Sequence, residues 1–358
     1  MTVPRLTLAA WLVLGLAVTP AAAAPTPKVQ STEPSTGTER LPTHGLPTKE
    51  QLLAVLQQRA EDAIEARKAQ APKPFEITTS LVHGYENNVN LDATRTGDHY
   101  IEESAGFFLR PQVRPWLSLE GSYQARNTHF TEFRDSNTWS NTLGTLVRWT
   151  PHTTLSLDAG YEYEIFNYPF DTSNSFTDHR LTTTLRHILS PLVFHEASWS
   201  VLLRSYDTRK ALDPSAVETP NVREDQRHTV AYDLGLLLGE TVVRLRQEFF
   251  ENLSNEGFED FYDWQDYRAR LTASRAFFER WLATGSVSFE RRNYADRTVP
   301  NEEIAEKDDL TTLSCSLIYE LSKDWSVAYT WLWREQHSND RRLDFNDTIN
   351  QWGFYGRF

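Results

Sequence analysis

The sequence predicts an all-β fold, a transmembrane antiparallel up-and-down β-barrel of about fourteen strands preceded by a short amphipathic helix. Three observations support this fold class. Apolar and polar residues alternate from residue 75 to the last residue, and the connections between the alternating runs are short and long by turns. The 358 residues also include 11 Trp, 14 Tyr and 19 Phe. Because the mean hydropathy is only −0.53, this aromatic content fits a barrel whose polar inner face dilutes its hydrophobicity.

Residues 1–24 have the features of a secretory signal peptide. Arg5 supplies a positive charge, residues 6–18 form an apolar run, and residues 21–24 are small residues that suit a cleavage site. A run of about 13 residues is too short to cross a bilayer as a helix. We therefore expect this segment to be removed on export.

Two further segments precede the predicted barrel. Residues 25–47 are rich in Pro, Thr, Ser and Gly, a composition typical of a disordered linker. Residues 48–70 predict an amphipathic helix that begins at Thr48, has Gln51 at the capping-box spacing and stops before Pro72. We interpret this helix as a periplasmic spacer; a coiled-coil segment, a docking element for a periplasmic partner and a plug are the alternatives.

From residue 75 to residue 358 the apolar residues recur with the period of a β-strand. In residues 155–165, for example, apolar residues at odd positions alternate with Ser156, Asp158, Glu162 and other polar residues at even positions. Each run is near or above the roughly ten residues that cross a bilayer in a tilted strand. The predicted strands are residues 75–86, 99–110, 116–130, 138–149, 153–166, 177–189, 196–207, 227–239, 241–252, 262–277, 280–293, 309–321, 324–336 and 346–358.

The connections predict the orientation of this barrel. Short connections such as PHT, GE and SKD, and the somewhat longer SPLVFHE, alternate with polar loops such as TRKALDPSAVETPNVRED. In outer-membrane barrels the short turns face the periplasm and the long loops face the outside. We therefore expect a bacterial outer-membrane location, surrounded by outer-membrane lipid, with the N-terminal segment in the periplasm.

The last strand is amphipathic and ends on an aromatic residue. Trp352, Phe354 and Phe358 share its apolar face. This strand must pair with the first one, because lipid does not tolerate a free sheet edge. A C-terminal Phe on such a strand also resembles the signal read by the outer-membrane assembly machinery, which we expect to be a partner.

The polar faces of the predicted strands carry the charges that would line a pore. The early strands contribute the acidic residues Glu120, Asp158, Glu162 and Glu164. The later strands contribute Arg180, Arg186, Arg204, Arg244, Arg246, Arg268, Arg270 and Arg292. In a closed ring these sets would face each other and create a field across a water-filled lumen. Alternatively, the charges pair with one another and fill the interior.

Other functions are disfavoured by composition and by the absence of motifs. The net charge of −13 argues against a nucleic-acid partner. A single cysteine, Cys315, excludes an intrachain disulfide framework and a cysteine-based metal cluster. The sequence has no metalloprotease, serine-hydrolase or phosphate-loop motif, so we assign no catalytic, cofactor-binding or metal-binding residues and expect no enzymatic activity.

One stretch resembles a known group of proteins. In VHGYENNVNLD, Gly84, Tyr85, Glu86, Asn88 and Val89 are similar to the end of the first strand in an outer-membrane β-barrel porin family and in the barrel part of surface lipoprotein assembly modifiers. The resemblance covers residues 75–358 and implies an outer-membrane barrel with a transport role. The modifiers usually carry helical repeats before the barrel, and this chain has no such period. Barrels of exopolysaccharide machinery are similar as well.

The sequence therefore favours a porin-like channel that passes small or acidic solutes, including saccharides, through a charged lumen. The first alternative is an outer-membrane assembly or export factor for polysaccharide or surface lipoprotein. The second is an outer-membrane hydrolase that would use His179 beside Asp178, or His228 after Asp225, at the outer rim.

Overall fold

A computed structural model describes residues 74–89, 91, 96–258, 262–278, 280–299, 302 and 304–358. The predicted signal peptide, linker and amphipathic helix all lie outside the described residues. No helix among the described residues is long and apolar enough to cross a membrane.

The described residues form fifteen strands and three single-turn 3-10 helices. The strands are β1 (Phe75–Glu86), β2 (Asp98–Leu109), β3 (Gln112–Arg114), β4 (Leu117–Phe130), β5 (Thr138–His152), β6 (Leu155–Asn167), β7 (Phe176–Ser190), β8 (Val193–Leu212), β9 (Glu218–Leu238), β10 (Thr241–Ser254), β11 (Trp264–Phe277), β12 (Trp281–Thr298), β13 (Ala305–Glu320), β14 (Trp325–Ser338) and β15 (Phe345–Arg357). The 3-10 helices are η1 (Arg134–Ser136), η2 (Thr172–Asn174) and η3 (Arg341–Leu343). Strand β3 has only three residues and lies in the connection between β2 and β4. The other fourteen strands form the barrel wall.

The wall is a single closed antiparallel sheet. Each strand pairs with the next one along the chain, β2 pairs directly with β4, and β15 returns to pair with β1. At the closure Leu81 lies opposite Phe354, and Ile77 exchanges two backbone hydrogen bonds of 3.1 and 2.9 Å with Phe358. The last residue of the chain is therefore held in the sheet. This architecture confirms the predicted antiparallel up-and-down β-barrel of fourteen strands.

Alternate residues face the two sides of this wall. On β5, Trp139, Leu143 and Trp149 point outward and are exposed, whereas Thr142 and Arg148 point inward and contact groups on β6. Ten residues separate the two tryptophans along this strand, which corresponds to about 25 Å along the barrel axis for a strand tilted by roughly 40°. That height matches the apolar band of a membrane barrel, with an aromatic residue at each boundary.

Strands β8 and β9 are longer than the alternation predicted. They have 20 and 21 residues, and most of the predicted loop 208–225 is a paired hairpin with register shifts. This hairpin contacts the β10–β11 connection, where the Gly257 N–H donates to the Leu212 carbonyl at 2.9 Å. The prediction was wrong here because a hairpin that stands in water needs no apolar face, so the period-two signal disappears. At the other end, the connection SPLVFHE is a two-residue turn at Pro191 and Leu192, shorter than predicted.

The outward and inward faces of β5 should respond differently to the same charge. We expect Leu143→Arg, on the outward face at 54% exposure, to lower the free energy of unfolding by about 2–4 kcal/mol because it places a cation against lipid. Residue 142 is the adjacent residue on the strand, and its side chain points inward beside Glu164. Thr142→Arg should therefore lower the free energy of unfolding by less than about 1 kcal/mol. Denaturant titration of both variants in phospholipid vesicles measures the difference, and equal costs would contradict the assignment of the two faces.

Candidate functional site

The interior of the barrel is the candidate functional site, and its wall has two chemically distinct parts. Part of the inward surface consists of small side chains that carry hydroxyl groups. Hydroxyl pairs join neighbouring strands: Ser80 with Ser104 at 2.7 Å, Ser286 with Ser314 at 2.7 Å and Ser316 with Thr330 at 3.0 Å. The same strands also carry charged side chains in ion pairs, among them Glu76 on β1, Glu102 on β2 and Arg334 on β14.

On strands β7–β12 the inward side chains form a continuous row of ion pairs, here called the charged ladder. Arginines and carboxylates alternate along it. Most contacts join neighbouring strands or next-but-one residues on one strand, and the Glu196–Arg244 contact reaches across β9 from β8 to β10. The ladder runs Arg186–Glu196 (2.7 Å), Glu196–Arg244 (3.5 Å), Arg244–Asp233 (2.6 Å), Asp233–Arg246 (2.7 Å), Arg246–Glu248 (2.9 Å), Glu248–Arg268 (3.6 Å), Arg268–Glu290, Glu290–Arg292 (2.9 Å) and Arg292–Asp266 (3.3 Å). Five guanidinium groups are thus balanced by five carboxylates.

The carboxylates of the ladder are more deeply buried than its arginines. Asp233 is 1% exposed and accepts hydrogen bonds from both Arg244 and Arg246. A carboxylate between two guanidinium groups is shared by both, and such charge-assisted bonds are stronger than neutral ones. The ladder therefore holds neighbouring strands together as well as lining the interior.

The predicted acidic residues also have partners beside them. Glu120 accepts from Arg110 at 2.6 Å, Asp158 from Arg148 at 2.8 Å, and Glu164 from the Thr142 hydroxyl at 3.4 Å. Glu162 lies 3.4 Å from Arg180, and both side chains remain about half exposed. The four predicted acidic residues therefore contact neighbouring side chains, as in the alternative in which the inward charges pair with one another, and their role in lining a pore stays a prediction.

Several of the pairing carboxylates were missed in the sequence. Asp178 holds Arg204 at 2.8 Å, and Glu196, Asp233 and Asp266 belong to the ladder. Each lies at an inward position of its strand; Glu196 and Asp233 have only uncharged same-face neighbours, whereas Asp178 and Asp266 lie two residues before Arg180 and Arg268. What identifies them as ion-pair partners is their position opposite arginines on neighbouring strands. That register cannot be inferred from the sequence of one strand alone.

Arg227 and Arg270 are inward arginines of the membrane-spanning wall that form no ion pair with a carboxylate in the described part of the chain. Arg270 lies directly opposite Arg246 in the β10–β11 register, and its side chain is exposed inside the barrel. Arg227 donates to the Asn252 side-chain oxygen at 3.4 Å and lies over the Trp264 ring at 4.8 Å. Both differ from the ladder arginines, whose charges are matched.

At the end of the barrel that carries the long connections, arginine side chains stack on aromatic rings. The Arg204 guanidinium lies 3.5 Å from the centre of the Phe176 ring, and that of Arg223 lies 3.2 Å from the centre of the Tyr262 ring. In the β14–β15 connection, hydrogen bonds from Arg342 hold the pKa of the Asp340 carboxyl below its usual range. Such contacts join side chains of the connections at this end of the barrel.

Near the periplasmic end the interior contains a cavity of about 600 Å³. Its lining combines hydroxyl and charged groups, including Thr78, Ser80, Ser104, Arg126, Glu320 and Tyr355. Arg126 keeps 59% of its side chain exposed, at 3.7 Å from Glu102. Groups of this kind are stable inside a protein where water can reach them.

The two histidine–aspartate pairs that the hydrolase alternative would use are not assembled in the described structure. His179 points outward and pairs with the Tyr161 hydroxyl at 2.8 Å, whereas the neighbouring Asp178 points inward to Arg204. His228 contacts Gln226 at 2.8 Å, and Asp225 is paired with Arg223. The two pairs proposed for a hydrolase are therefore not brought together. In the part of the chain described by the structure, no group of three His, Cys, Asp or Glu side chains could hold a metal ion.

Comparisons with known proteins reveal similarity of fold. No family model and no characterised protein sequence matches the chain. Outer-membrane expressed OmpT of Vibrio cholerae is 9% identical with a TM-score of 0.50, over 79% of this chain and 97% of that one. In-vitro folded OmpT of Vibrio cholerae, an outer membrane protein, is 7% identical with a TM-score of 0.50 over the same shares. Pseudomonas putida OprB is 8% identical with a TM-score of 0.49, over 83% of this chain and 97% of that one. The match to OmpT shows that the chain has the fold of an outer-membrane barrel.

The charged ladder should contribute to stability through its buried carboxylates. We expect Asp233→Ala to lower the free energy of unfolding by about 1–3 kcal/mol, because Arg244 and Arg246 both lose a hydrogen-bond acceptor. Glu162→Ala removes a carboxylate that is 52% exposed in its pair with Arg180 and should cost less than about 1 kcal/mol. Denaturant titration in vesicles compares the two, and a larger loss for Glu162→Ala would contradict the structural role of the ladder.

Proposed function

We propose that the chain is a bacterial outer-membrane channel that passes small polar and acidic solutes, including saccharides, through a charged lumen. The observation that carries the proposal is the coexistence of an apolar outer belt with interior charges that keep access to water. Arg126, Glu162 and Arg180 retain 59%, 52% and 46% of their side-chain exposure inside the wall. A barrel of this strand number is wider than the roughly eight-stranded kind that side chains fill.

The pore-lining role of the predicted residues follows from this proposal. The charged ladder and the pairs of Glu120 and Asp158 present fixed, balanced dipoles to the lumen. The hydroxyl-lined strands offer hydrogen bonds of the kind that replace water around a saccharide. Water and small solutes could then pass without meeting a large excess of either charge.

An assembly or export factor remains the alternative function. Such a protein could use the same barrel as an anchor and engage a periplasmic partner through residues 48–70. It would not need an ion-conducting lumen, so conductance separates the two functions.

We expect the purified full-length protein to produce ohmic current steps in planar lipid bilayers, because a hydrated lumen conducts ions. A second preparation without residues 25–74 shows whether that segment blocks the lumen, in which case only the shortened protein conducts. Heat-denatured protein serves as the control for detergent leaks. Absence of current from both preparations, with the barrel shown to be folded by its β-sheet circular dichroism, would reject the channel and favour the assembly role.

A further inference from the structure

The two arginines that lack a carboxylate share an uncommon environment. Most inward arginines on β7–β12 donate to an acidic side chain, and the ladder satisfies them in pairs. Charged groups inside proteins are usually paired, since removing an unpaired charge from water is costly. Arg227 and Arg270 depart from this rule in the part of the chain that the structure describes.

At Arg270 the missing partner is explained by competition. The residue directly opposite on β10 is Arg246, and the residue opposite on β12 is Ser288. Arg246 already donates to Asp233 at 2.7 Å and to Glu248 at 2.9 Å. Two like charges at directly opposed positions destabilise a strand pair. An anion beside Arg270 would relieve this repulsion.

At Arg227 the nearby acidic group is engaged elsewhere. Asp225 lies two residues away on the same face of β9, but it accepts both hydrogen bonds of Arg223, at 3.0 and 2.7 Å. The Arg227 guanidinium instead lies 4.8 Å from the centre of the Trp264 ring, and Arg292 lies 4.5 Å from the centre of the same ring. The indole stabilises the guanidinium charge only in part, because the face of an aromatic ring carries a partial negative charge whereas a carboxylate carries a full one.

The two positions lie at different depths. Arg227 is opposite Asn252 on β10, and Arg270 is opposite Arg246, six residues nearer the periplasmic end of that strand. Six residues correspond to about 20 Å along a strand. A solute that enters from the outside would meet Arg227 first and Arg270 second.

We propose that Arg227 and Arg270 are two successive binding stations for the anionic group of a permeating solute, a carboxylate or a phosphate. The planar guanidinium donates two parallel hydrogen bonds to either group. The flanking ladder is internally neutral, so the attraction is confined to these two positions. The inference rests on the proposed channel function and specifies its solute class.

Single-channel recording of the full-length protein tests this with inorganic phosphate and glucuronate as probes and glucose as the neutral comparison. We expect both anions to reduce the chloride current at low concentration and glucose to have no such effect. Arg227→Gln and Arg270→Gln should each raise the half-blocking concentration roughly three- to tenfold, the loss expected for one charge-assisted contact. The corresponding lysine variants should retain part of the block. A block by phosphate alone or by glucuronate alone identifies which of the two anions the stations accept.

Arg275→Gln is the matched control, because it removes the same charge from the outward face of β11. Block that changes equally in all three variants, or in none, overturns the proposal while leaving the channel intact. Equal competition by glucose also overturns it.

Calorimetric titration of detergent-solubilised protein with the same two anions provides a measurement that needs no current. Binding that is lost in Arg270→Gln and Arg227→Gln but kept in Arg275→Gln supports the stations even if no preparation conducts. No binding to the wild-type protein overturns the proposal. Circular dichroism establishes that every variant is folded.

Discussion

A backbone surrounded by hydrocarbon must satisfy its own hydrogen bonds, and this constraint governs the rest of the structure. A helix can do so alone, but strands can do so only in a sheet that closes on itself. The pairing of β15 with β1 achieves the closure, down to the hydrogen bonds between Ile77 and Phe358. With the edges removed, every strand has one face for lipid and one for the interior, so polar side chains must gather inside.

The interior contains many charges close together, and ion pairs between side chains of the barrel wall stabilise them. Asp233 serves Arg244 and Arg246, and Glu290 serves Arg268 and Arg292, so the arginine-rich wall is largely neutral. This arrangement combines two functions in one row of residues, since the same contacts join strands and present dipoles to the lumen. Under the proposed channel function, a solute would be recognised at positions such as Arg227 and Arg270, where a charge has no ion-pair partner.

Different parts of the molecule were predictable to different degrees. The bounds of β1 agree with the alternation at both ends, because that strand crosses the membrane and stops. Strands β8 and β9 extend well past their predicted ends. The sequence did not predict this extension, because a hairpin in water has no apolar face and therefore shows no alternation of apolar and polar residues. The inward direction of Arg244 and Arg268 followed from parity, but their partners on β9 and β12 did not.

The sequence by itself determined the barrel class, the strand number, the outward belt and the inward position of charges such as Arg244 and Arg268. The physical reason is that alternate residues of every membrane-spanning strand face lipid, so the apolar residues recur with a period of two within each strand's own sequence. Only the tertiary structure decided which charges meet. Asp233 contacts Arg246, and Arg246 opposes Arg270, because three strands are aligned at one register. A shift of one residue between neighbours would exchange the two faces, and that alignment arises from the packing of the whole ring.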